Sequence, residues 1–184
     1  TQTQAALRGP SRFPVFGIAA ALALLLICIL LLAAVPPVDR DALTHHLAVP
    51  KLYLKYGGMV EMPWIEFSYY PMNLDLLYMI PLWLGNDIIP KYIHLAFGLL
   101  TAGLIYSYLL RRLGSRTYAL LGSLLFLSLP VVVKLSITVY VDLGLVFFST
   151  AALLQLLKWA SDRHKLRHLI WGGIWCGLAL GTKY

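Results

Sequence analysis

Charge is what this 184-residue chain has least of: 12% of its residues are charged and 60% are hydrophobic. A soluble domain carries about 25% charged residues, and the mean hydropathy here is +0.77. That balance excludes an ordinary soluble domain and points to a membrane protein. Cysteine is almost absent too. Cys28 and Cys176 both fall in apolar runs, so they read as small hydrophobes and say nothing of redox compartment. The chain has no Gly-rich nucleotide loop, no GxSxG elbow, no paired CxxC and no HExxH. A nucleotide-driven pump and a serine hydrolase therefore have no support in these residues. The formal net charge is +7, but the basic residues are scattered in short clusters. Orientation in a bilayer explains them better than nucleic acid does.

Long apolar runs are what the sequence has. From Phe13 to Val35 no side chain is ionisable, and about 20 such residues cover a hydrocarbon core of about 30 Å. This run exceeds the apolar core of a signal peptide, and Pro36-Pro37 is a poor cleavage site, so it reads as a retained anchor. Further spans are expected at about 91–110, 117–133, 140–159 and 168–184, with a polar-aromatic loop over 36–90. The segment 74–85 is short and holds Pro81, which suits an interfacial helix. If it does not cross, Arg8/Arg12, Arg111/Arg112/Arg116 and Lys158/Arg163/Lys165/Arg167 share one side, the cytoplasm by the positive-inside rule. Asp39, Asp41, Glu61, Glu66, Asp75, Asp87 and Asp142 then face the other. The expected architecture is all-α, a single polytopic helical membrane domain over 1–184. Its last apolar segment runs to the chain end, so the chain is expected to be the N-terminal part of a longer protein.

The stretch "VDRDALTHHLAVPK", residues 38–51, concentrates polar groups directly after the first span. Asp39 suits the N-cap of a helix beginning near Arg40. Asp41 and His45, at i and i+4, share a face, while Leu47, Leu52 and Leu54 are expected toward lipid. A carboxylate here can serve as a general base toward a hydroxyl. His45 and His46 can bind phosphate or metal, or hold the carboxylate; the spacing compels no metal and leaves a divalent ion open. Asp142, in "VYVDLGLVFF", is costly at the edge of an apolar helix and therefore expected to face a cavity or partner, with Lys134 as a candidate ion-pair partner. His94, at the start of a span, reads as an interfacial or helix-packing histidine. Gly173, Gly177 and Gly181 form overlapping GxxxG patterns suited to close helix packing.

"DRDALTHHLAVPKLYLKYG", "YYPMNLDLLYMIPLWLG", "YVDLGLVFF" and "GLALGTKY", in this order and spacing, resemble the N-terminal half of a GT-C fold membrane glycosyltransferase. The branch is the family-39-like, protein-mannosyltransferase-related one that includes the aminoarabinose transferases. The resemblance implies amphipathic juxtamembrane helices in the first external loop, Asp41 as the catalytic acid with Asp39 as alternate, and Asp142 as a second catalytic acid. It further implies transfer of a sugar, with inversion, from a polyprenyl-phosphate donor to a lipid, glycan or protein acceptor at the outer face of a bacterial inner membrane. Arg40, Lys51 and Lys134 are the candidates to stabilise the departing phosphate, with His45 and His46 as further substrate-binding candidates. Cofactors and nucleic acid are not implied. A transporter or flippase for lipid-linked saccharides, or a non-catalytic assembly subunit, would use the same acids without chemistry.

Overall fold

The computed structural model describes residues 13–183; Arg8, Arg12 and Tyr184 lie outside the described residues. Every regular element in that range is helical. Helix α1, Phe13–Ala33, ends just before Pro36-Pro37, where two successive residues lack the N–H a helix needs. Many of its side chains are exposed, Leu24 and Leu31 by about two thirds, because this apolar surface is suited to lipid rather than to water. Ile29 and Ala33 are buried, and Leu22, Leu25 and Leu26 pack against Leu127, Val132 and Leu143.

Helix α2, Ala48–Tyr56, and helix α3, Asn73–Trp83, occupy the long loop. At 11 residues and a rise of 1.5 Å each, α3 is about half the length of a crossing. Its Leu74, Tyr78 and Leu82 form a core with Ala42, Leu47, Val139 and Val141. Leu47 is thus buried, 1% exposed, and does not face lipid as its position in the sequence suggests. Helix α4, Ile89–Leu113, opens on Pro90 and closes on Gly114, whose φ of 64° is the left-handed conformation of a helix C-cap.

Helix α5, Arg116–Ser128, and helix α6, Pro130–Ser136, occupy the expected span at 117–133, but as two pieces bent by 70°. The cause is Pro130: Leu129, the residue before it, is held at φ −58° and ψ 129°, outside the helical region. Helix α7, Asp142–Ser161, follows. Among the described residues, three helices, from Pro14, Ile89 and Asp142, are long and apolar enough to cross a membrane, and the bent pair makes up to four.

The last helix, α8, Leu166–Leu180, has 15 residues and turns at Gly181, short of the extent expected for it. It packs along α7 through Gly172, where an added Cβ would sit 3.1 Å from Leu156 and 3.8 Å from the Ala152 carbonyl. Gly173 and Gly177 have nothing within 4 Å among the described residues, so the packing face is one position removed from the GxxxG face. Gly181 makes a separate contact, with its carbonyl accepting the Asn73 N–H at 3.1 Å.

Charge separates along the bundle. Arg111, Arg112 and Lys158 surround one groove between the ends of α4 and α7. The chain directions place Asp41, Asp75, Asp87 and Asp142 at the opposite end, beside the starts of α4 and α7.

Candidate active site

At the acidic end, the 40s turn, the 67–72 segment, the start of α3, residues 140–141 and the turn after α8 enclose a cavity of about 180 Å³. Asp41, His45 and His46 reach it from a single turn. Asp39 starts that turn through its backbone, its carbonyl accepting the Leu43 N–H at 3.1 Å. Residues 42–46 are then wound as a π-helix, with the Leu47 N–H donating to the Ala42 carbonyl at 2.9 Å. A π turn is frequent at functional sites because it widens one face of the helix; here it turns both histidines as well as Asp41 toward the cavity.

The carboxylate contact belongs to His46 rather than to the His45 expected from i,i+4 spacing. His46 Nδ1–H donates to Asp75 Oδ1 at 2.8 Å, with His46 8% and Asp75 3% exposed. Burial pushes the Asp75 carboxyl up from its usual range, opposed by the hydrogen bond from His46. His45 stacks on Phe67, ring centroids 4.2 Å apart. Burial first, then His46 beside it, push His45 down to about 4, against the pull of Asp41. His45 is therefore neutral at neutral pH, which weakens it as a phosphate-binding cation. Asp41 is exposed, and Tyr140 Oη–H approaches its Oδ2 at 3.4 Å.

Residues 137–142 enter the site under two restraints. Tyr78 Oη–H donates to the Tyr140 carbonyl at 2.5 Å. His94, fully buried, approaches the carbonyls of Leu135 and Thr138 through Nδ1 at 3.0 and 3.2 Å, and its Nε2 accepts the Leu143 N–H at 2.9 Å. Those partners define a neutral tautomer with the proton on Nδ1. The packing histidine of the sequence is thus a tie among α4, α6 and α7, and it fixes the backbone next to Asp142.

Asp142 pairs with Lys183, Nζ to Oδ1 2.8 Å, and not with Lys134. Lys134 is exposed on α6 and Lys51 is paired with Asp87 at 2.8 Å; neither lines the cavity, nor do Arg40 and Asp39. The cation at the cavity wall is Lys183, carried there because the turn after α8 docks on the start of α3. Asp142 touches the cavity through Lys183.

Among the cavity residues that were not site candidates from sequence are Asp75, expected only on the outer side, and Tyr140 and Lys183. Asp75 is the one charged residue inside "LDLLYMIPLWLG", and the cost that marked Asp142 applies to it equally. No group of three His, Cys, Asp or Glu among the described residues converges as a metal-ligand set.

A family model described as dolichyl-phosphate-mannose-protein mannosyltransferase matches residues 59–184, well over half of the chain. The match takes in Phe67, Asp75, Tyr140, Asp142 and Lys183 and begins after the turn that carries Asp41 and His46. No curated protein and no solved structure matches the chain.

Proposed function

The chain belongs to the dolichyl-phosphate-mannose-protein mannosyltransferase family, and we propose that it transfers a sugar from a polyprenyl-phosphate carrier to an acceptor hydroxyl or amine at the outer face of the membrane. The observation that carries this reading is the cavity in which Asp41, His46 and Lys183 meet beside the ends of apolar helices. A lipid-linked donor stays in the bilayer, and a pocket at the membrane edge can receive its phosphate and sugar while the acceptor enters from water. Alignment of the two lowers the barrier by itself.

In this reading the acceptor hydroxyl lies against Asp41, which receives its hydrogen bond and draws on its proton as attack proceeds. Lys183 replaces Lys51 and Lys134 as the cation facing the phosphate, and Asp142, 2.8 Å from it, aims the ammonium. Direct displacement at the anomeric carbon, with the acceptor and the phosphate on opposite faces, gives inversion. The basic groove of Arg111, Arg112 and Lys158 faces the cytoplasm and the cavity faces outward, as the positive-inside rule directs. By resemblance the membrane is the plasma membrane of a bacterium.

The test is transfer of labelled sugar from a polyprenyl-phosphate donor by the purified protein. Asp41→Asn is expected to lower kcat by about 10²–10⁴, the usual contribution of a proton-handling group, while donor binding is retained. Turnover by Asp41→Asn at the wild-type rate would refute the assignment.

A further inference from the structure

Besides Asp41, the cavity wall contains a group built to take a proton. His46 gives its Nδ1–H to the buried Asp75 at 2.8 Å, which fixes the ring and leaves the lone pair on the other nitrogen, Nε2. Among the described residues, the buried side-chain nitrogen and oxygen atoms without a partner are Ser136 Oγ and Trp159 Nε1. The Nε2 of His46 is not one of them and has no hydrogen-bond partner among the described residues, so it is reached from the cavity that His46 lines. Its support is rigid: Leu74 and Tyr78, on either side of Asp75 in α3, are 2% and 0% exposed in the core.

We propose that His46 is a catalytic residue of this site, the acceptor of the proton released in transfer, and that Asp75 is its positioning residue. The assignment rests on the sugar-transfer reading above. The acceptor's O–H bond breaks and its proton forms a new N–H bond at His46 Nε2. The oxygen's electron pair forms the bond to the anomeric carbon, and the bond from that carbon to the phosphate oxygen breaks, its pair leaving with the polyprenyl phosphate toward Lys183. Asp41, on the same wall, accepts the hydroxyl's hydrogen bond and draws on its proton as attack begins, and His46 is where that proton comes to rest. The imidazolium is stabilised by Asp75 and returns its proton to water once product has left. A histidine between a buried carboxylate and a reacting hydroxyl is the arrangement that serves Ser-His-Asp enzymes, with the acceptor's hydroxyl in place of serine.

Among the described residues, the charged and titratable groups around the pair are Asp41 and His45 on its own turn, Tyr53 of α2, Tyr70 before α3, Tyr78 of α3, His94 of α4, Tyr140 before α7, and Lys183 after α8. The experiment measures kcat and KM of the purified protein in lipid nanodiscs from pH 5 to 9, with a polyprenyl-phosphate sugar as donor. In the wild type, kcat/KM is expected to fall on the acid side, the mark of a base that must be unprotonated when substrate arrives. His46→Gln is expected to lose about 10²–10⁴ in kcat, to keep donor binding, and to lose that acid limb. Asp75→Asn should lower kcat by less, keep KM, and move the limb.

A His46→Gln variant that folds, binds donor and turns over at the wild-type rate with the same pH profile overturns the assignment. Should that variant not fold, carbethoxylation of wild-type His46 by diethyl pyrocarbonate, mapped by mass spectrometry, decides: loss of activity in step with modification supports the role, and full modification with full activity overturns it. A wild type that transfers no sugar overturns the transfer reading and this assignment together; an active wild type beside an active His46→Gln overturns this assignment alone.

Discussion

Replacing His94 by Ala removes the tie that joins three helices beside Asp142, and the cost can be worked from its partners. The Leu143 N–H, next to a side chain 1% exposed, loses its acceptor, and an unsatisfied buried donor costs about 1–3 kcal/mol. The Leu135 carbonyl keeps the N–H and Oγ1–H of Thr138, at 3.3 and 3.2 Å. The Thr138 carbonyl loses the donor it shared, which adds about 1 kcal/mol. The total is about 2–4 kcal/mol. For a chain of this size each kcal/mol lowers the melting temperature by about 2–4 °C, so a fall of about 4–16 °C is expected in thermal unfolding followed by tryptophan fluorescence in detergent. His94→Gln, whose amide donates with nitrogen and accepts with oxygen, should recover part of the loss. Because Asp142 follows directly from this backbone, His94→Ala should also lower transfer more than a neutral core substitution of equal destabilisation. A shift below about 2 °C with unchanged transfer would refute the reasoning.

Gly172→Leu should destabilise the contact of α7 with α8, since even a Cβ would lie 3.1 Å from Leu156, whereas Gly173→Leu, with open space around it, should not; paired melting temperatures check this. His45 gives a pH dependence. Its folded pKa of about 4 lies below the reference value of 6.5, so between these values the unfolded chain binds a proton that the folded chain does not. Stability from this group is therefore full above about 6.5 and falls as the pH drops toward 4. His45→Phe, which retains a ring against Phe67, should flatten that part of the stability profile relative to wild type.

The architecture was legible where hydropathy alone decides it. The apolar runs became α1, α4 and α7, and the short segment around Pro81 became the 11-residue α3. The break at Pro130 was legible in principle, because the restriction on the preceding Leu129 is local, but an apolar run across it looks continuous when only hydropathy is read. The cavity was only half legible. Asp41, His45 and His46 were visible as a polar cluster, yet which histidine meets a carboxylate depended on a π turn, and sequence spacing assumes an α-helical period. The partner of Asp142 could not come from spacing at all. Lys134 is eight residues away in sequence and Lys183 forty-one, and the packing of α8 back along α7, together with the docking of Gly181 on Asn73, brings the latter in. The same holds for Asp75, 29 residues from His46.

The most direct test of the account is where the donor binds. A polyprenyl-phosphate sugar carrying a photoreactive group on the sugar, irradiated with the purified protein and mapped by mass spectrometry, should label peptides containing residues 41–46, 67–72 and 182–183, with labelling suppressed by unmodified donor. Labelling concentrated instead around Arg111, Arg112 and Lys158, at the opposite end of the bundle, would contradict it.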